Sequence, residues 1–120
     1  MGRGAESKKR AKANALIVAG GFGTSGQVLQ EFYTVATRKG EPLSPEQALL
    51  WIERLVTFPC VPIDAALVVD AIAIAARYRI SYWDGAIVAA AEALGAAILY
   101  TEDLNHAQMY GSVRAINPFL

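Results

Sequence analysis

Four carboxylates in this 120-residue chain are candidates for more than surface solvation: Glu31, Asp84, Asp103 and its neighbour Glu102. Acids brought together without basic partners repel one another and raise one another's pKa. A hard divalent cation relieves that repulsion. Mg²⁺ or Mn²⁺ takes oxygen ligands and keeps several waters in its own shell. An ion held in this way activates water and stabilises the charge that builds up when a phosphodiester is cleaved. Acids from two helix starts and one strand end, converging at one edge of a sheet, would supply such a site.

Each acid also has a plainer reading. Glu31 lies in the stretch Gln27–Arg38, whose apolar stripe is Val28, Leu29, Phe32, Tyr33, Val35 and Ala36. On a helical period it falls beside Val35, at the edge of the stripe. There it is either a site residue or a boundary glutamate paired with a surface cation. Asp84 shares a helix face with Ile87, Val88 and Ala91. Three residues after Ser81, it also completes a capping box and suits the helix dipole. Tyr82 and Trp83 beside it suggest a partly enclosed place. Glu102 and Asp103 follow the apolar run Ala96–Tyr100, and in open α/β sheets the ligand crevice lies outside the carboxyl ends of the strands. Alternatively, Asp103 only starts the next turn.

Other chemistries are poorly supplied. One cysteine, Cys60, and one histidine, His106, exclude an internal disulfide and a Cys/His zinc centre. His106 reads as an exposed loop residue within reach of a phosphate. Gly20-Gly21-Phe22-Gly23 has neither the spacing nor the lysine of a phosphate-binding loop and reads as a turn. Trp51 and Trp83 are expected in the core.

The elements that must position the acids can be read from start and stop signals. The stretch 6–19 is alanine-rich and reads as helix until Gly20-Gly21. Phe22-Gly23-Thr24 is a brief strand, and Ser25 caps the helix Gln27–Arg38, which Gly40 ends. Ser44-Pro45-Glu46-Gln47 combines a capping serine, a proline at the first helical position and a glutamine at the third, so a helix runs from there to about Val56. Pro59 and Pro62 bracket an extended link. Asp64 caps a helix over Ala65–Tyr78; Ser81 caps another that Gly95 closes. Ala96–Tyr100 and Val113–Ile116 read as buried strands. Helices separating short buried strands indicate an α/β fold with a parallel sheet.

Composition sets the outer bounds. Apolar residues make up 54% and charged residues 18%, which excludes a disordered chain. The 11 basic and 11 acidic residues cancel, which argues against a strongly basic nucleic-acid binder. The cancellation is uneven, because Arg3, Lys8, Lys9, Arg10 and Lys12 all lie in the head, leaving residues 13–120 with a net charge of −4. The head either adds phosphate attraction or is a solvated tail. Ala15–Ala19 is too short for the apolar core of a signal peptide and lacks a cleavage pattern. Asp70 and Glu92 interrupt the apolar runs before they reach a membrane span. The expectation is a soluble, cytoplasmic protein with no membrane partner.

Four segments in order resemble the PIN-domain proteins: Gln27-Val-Leu-Gln-Glu31-Phe-Tyr, Ile80-Ser-Tyr-Trp-Asp84-Gly-Ala-Ile-Val-Ala-Ala-Ala, Leu99-Tyr-Thr-Glu-Asp103-Leu-Asn, and Asn117-Pro-Phe119. Within these proteins the likeness is to the VapC-type toxin ribonucleases of type II toxin–antitoxin pairs, over roughly residues 6–119. The resemblance implies a Rossmann-like α/β/α fold and Mg²⁺- or Mn²⁺-dependent hydrolysis of RNA by a metal-activated water. It places metal-binding catalytic acids at Glu31, Asp84 and Asp103, with Thr101 and Glu102 as supporting neighbours and Glu102 a further candidate metal ligand. It further implies a homodimer and inhibition by a small antitoxin protein.

One departure stands out. The family opens with a central strand ending in an Asp followed by Thr or Ser and then Asn, and no such segment precedes Glu31. Glu6 is the only acid ahead of it, and Asn14 matches nothing. The expectation is a single domain over 6–120, entered after its first strand, with residues 1–5 unassigned. An alternative function follows: an inactive PIN module that keeps an antitoxin-binding or dimerisation surface.

Overall fold

The computed structural model describes residues 23–120. The helix expected over 6–19, its Gly20-Gly21 stop, the basic head and the question of a preceding first strand all lie outside the described residues.

The described chain runs β1 (Thr24–Ser25), α1 (Gly26–Ala36), α2 (Pro45–Leu55), β2 (Cys60–Val61), α3 (Ala65–Tyr78), α4 (Tyr82–Ala93), β3 (Ile98–Tyr100), β4 (Met109–Tyr110) and β5 (Val113–Ile116). This is the α/β class that the sequence indicates. The capping signals explain where the helices begin. Oγ of Ser25 accepts from Val28 N–H, Oδ1 of Asp64 from Leu67 N–H, and Oγ of Ser81 from Asp84 N–H. At Ser44 the box is reciprocal: its Oγ accepts from Gln47 N–H while its own N–H donates to Gln47 Oε1. Such caps satisfy amides that have no partner inside the helix.

The strands form two sheets. β1 pairs parallel with β2, Thr24 opposite Cys60. β5 is the middle strand of the other sheet, parallel to β3 and antiparallel to β4. Two details differ from expectation. The link between Pro59 and Pro62 contains a true strand, which the flanking prolines had disguised. The sheet is also not purely parallel, because Met109–Tyr110 turns back through Gly111-Ser112 as a hairpin, with Gly111 at a φ of 63°.

The main core lies between α3, α4 and the β3–β5 sheet. Its members include Leu67, Ala71, Val88, Ala91, Leu99, Tyr110 and Val113. Small residues let α3 and α4 approach closely. A Cβ added at Gly85 would stand 2.6 Å from the Ala71 carbonyl oxygen and 3.0 Å from the Ala75 Cβ. A smaller cluster of Phe32, Ala36 and Ala48, covered by Leu43 and Ile52, joins α1 to α2. The two tryptophans do not pack as expected. Trp51 is 48% exposed because α2 packs mainly on α1, and Arg54 lies over its ring at 5.3 Å. Trp83 is 66% exposed because it sits in the first turn of α4, beyond the end of the core. Among the described residues, no helix is long and apolar enough to cross a membrane.

Candidate active site

Glu31, Asp84 and Asp103 come from three elements and line one cavity of about 80 Å³. That volume holds several waters, since one water needs roughly 10–15 Å³ measured this way. Gln27, Val28, Trp83, Ile87, Leu99, Tyr100 and Thr101 complete its wall. The cavity thus opens between the start of α1, the start of α4 and the carboxyl end of β3.

Each acid is placed by a local device. Asp84 follows the Ser81 cap, and Gly85 behind it presses the first turn of α4 onto α3. Asp103 stands in the turn after β3, where its N–H donates to Thr101 Oγ1 at 3.2 Å. Thr101 is itself buried and its N–H donates to the Ile116 carbonyl, tying the turn to β5. Glu31 extends from the exposed side of α1, and Gln27 Nε2 donates to its Oε1 at 3.3 Å. Glu102 is not among the lining residues; it is a half-buried neighbour on the same turn.

The donor chemistry of the cavity is all oxygen: three carboxyl groups and a threonine hydroxyl. That set suits a hard cation and not a soft one. Among the described residues, no three His, Cys, Asp or Glu side chains stand close enough to hold an ion together. An ion in this cavity would thus be touched by at most two of the carboxylates and would keep most of its own waters, as Mg²⁺ commonly does. Soft donors are elsewhere. Cys60 lies on β2, outside the cavity, and burial pushes its thiol pKa up, so it stays protonated near neutral pH. His106 is exposed as expected, and its Nδ1 accepts from Asn117 N–H at 3.0 Å.

Reasoning from the sequence missed Gln27. It is only 9% exposed and lines the cavity, in a place where the helical stripe was expected to present apolar side chains. A signal was available: Gln27 and Glu31 are four residues apart, the spacing at which helical side chains meet. Tyr33, expected in the stripe, is instead 38% exposed.

Compared with known families, the chain matches the family model for the PIN domain over residues 4–112. No curated protein matches.

Proposed function

The chain belongs to the PIN-domain family, and from that premise we propose that it is a divalent-metal-dependent endoribonuclease of the toxin type. PIN domains are in general nucleases that act on RNA with the help of divalent metal ions. The observation that carries the proposal is the meeting of Glu31, Asp84 and Asp103 at one cavity, although they are far apart in sequence. A bound Mg²⁺ or Mn²⁺ supplies a water of lowered pKa and offsets charge on the scissile phosphate.

The chain's own residues have distinct tasks. Asp84 and Asp103 would hold the ion from the α4 and β3 side of the cavity, with Glu31 opposite them on α1. Without a cation, the three acids would disfavour the approach of a phosphodiester. The exposed Trp83 ring at the rim offers a flat face to an unpaired base; base–aromatic stacking contributes about 1–3 kcal/mol per base. In such a hydrolysis the oxygen of water would bond to phosphorus as one phosphorus–oxygen ester bond breaks, the ribose oxygen leaving as a hydroxyl, and no side chain would become covalently attached.

Further parts of the reading are a single domain over 6–120, a cytoplasmic location, a homodimer and control by a small antitoxin protein. The antitoxin and dimer surfaces have apolar material to work with: Leu49, Leu50 and Trp51 on α2, and Val69 and Ile72 on α3, are all exposed. A second reading is an inactive module that only binds its partner.

Purified chain incubated with RNA and Mn²⁺ separates the two readings. The nuclease reading expects cleavage that EDTA stops and that Asp84→Asn abolishes. Equal RNA breakdown by the unmodified chain and Asp84→Asn would refute it. Antitoxin binding with no Mn²⁺ uptake would favour the inactive module.

A further inference from the structure

We propose that Gln27 is a positioning residue of the acid cavity, and that its side-chain amide fixes Glu31 against the start of α4. The proposal rests on the metal reading given above. Gln27 is nearly buried, and a buried amide needs partners. Its Nε2 donates to Glu31 Oε1 at 3.3 Å and to the Trp83 carbonyl oxygen at 3.3 Å. Both partners are acceptors, so the amide group must turn its NH₂ toward them, and its two protons match two acceptors.

The consequence lies in where those acceptors are. Trp83 immediately precedes Asp84, so one end of the bridge is the backbone beside the second acid. The other end is the carboxylate of the first. One side chain thus links two acids that come from different elements and are 53 positions apart in sequence, as the numbering gives directly. The two bonds are long, and each is weak alone. Their effect is geometric: they restrict the Glu31 rotamer and hold α1 in register with the first turn of α4. Residues that orient metal-holding carboxylates commonly change metal affinity about 10–100-fold when removed.

Gln27→Met removes both donors and keeps nearly the same volume. Gln30→Met makes the same change on an exposed position of α1, away from the cavity. In calorimetric titration with Mn²⁺, Gln27→Met is expected to bind about tenfold more weakly than the unmodified chain, at the low end of that range because the bonds are long. Gln30→Met is expected to bind as the unmodified chain does. A second measurement needs no metal. In ¹⁵N-resolved NMR of the metal-free chain, the Gln27 side-chain amide protons are expected to exchange with water more slowly than those of Gln30. Their signals are expected to shift in Glu31→Ala and to stay in place in Glu46→Ala.

Equal Mn²⁺ affinity in Gln27→Met and the unmodified chain would overturn the positioning role. So would Gln27 amide protons that exchange as fast as those of Gln30. Failure of the unmodified chain to bind Mn²⁺ at all would instead overturn the metal reading of the cavity, and the role of Gln27 toward metal with it. The NMR result would then still decide whether the bridge exists.

Discussion

The two halves of the described molecule are built to different standards. In one, α3, α4 and the β3–β5 sheet share a continuous core, with Leu99, Val88, Val113 and Tyr110 almost wholly buried. Its edges are tied down as well. The hairpin turn after β4 is held by Tyr78 Oη, which accepts from Gly111 N–H, and by Glu92 Oε2, which accepts from Ser112 N–H and Oγ. In the other half, α1 and α2 meet over Phe32, Ala36 and Ala48, and α2 leaves Leu49, Leu50 and Trp51 exposed. The acid cavity is shared between the halves. Asp84 and Asp103 belong to the firm half, and Glu31 stands on α1, which puts Val28 into the firm core and Phe32 and Ala36 against α2, so the site is only as well defined as that join.

Substitutions can test this contrast, beginning with the largest effect. Leu99→Ala empties a site at the centre of the firm core, 1% exposed. Changes of this kind cost about 2–5 kcal/mol. Denaturant unfolding should show that loss for the whole chain, and a cost below about 1 kcal/mol would mean that the two halves do not differ as described. Gly85→Ala comes next. Its methyl group would meet the Ala71 carbonyl at 2.6 Å, and α4 must back away from α3. Overpacking costs about 1–3 kcal/mol, and here the shift moves Asp84 too. Stability and Mn²⁺ affinity should therefore fall together, whereas a loss of stability alone would show that Asp84 tolerates the movement.

Hydrogen exchange reads the contrast directly. Amides of α2 should open with a free energy at least about 1 kcal/mol below those of α4, since exposed and sparsely packed elements open locally. Equal protection would remove the distinction. The smallest effect is at a cap. Ser44→Ala deletes one arm of the capping box at α2 and should cost about 1 kcal/mol or less. The loss should be confined to the α1–α2 half, leaving α4 amide exchange unchanged.

The elements that sequence reveals best are those with chemical punctuation. Ser25, Ser44, Asp64 and Ser81 mark four helix starts because a side-chain oxygen there satisfies a free amide. The helix expected over about Ala65–Tyr78 is found over that span. Gly95 stops the last helix with a φ of 73°. Two-residue strands carry almost no periodic signal, so β2 and β4 are hidden, although Gly111-Ser112 between Met109-Tyr110 and Val113 is a hairpin signal. The acids were legible as candidates because Asp84 stands at a helix start, Asp103 just after a strand end and Glu31 at the edge of an apolar stripe. Their convergence was not, because it depends on how α1 meets α4, and Gln27 at that join was read as just another helical residue. The tryptophans misled for a related reason. An indole is usually buried, but α2 is covered mainly by α1 and the first turn of α4 projects past the core.

The central claim is that acids from both halves serve one metal-dependent site. The most direct test measures Mn²⁺-dependent RNA cleavage by the unmodified chain, Glu31→Gln and Asp84→Asn under the same conditions. The shared site predicts that both variants lose activity by roughly two orders of magnitude or more, since a metal-borne step is worth several kcal/mol and each 1.36 kcal/mol is tenfold in rate. Cleavage by Glu31→Gln at the unmodified rate, with Asp84→Asn inactive, would contradict it and confine the site to the firm half.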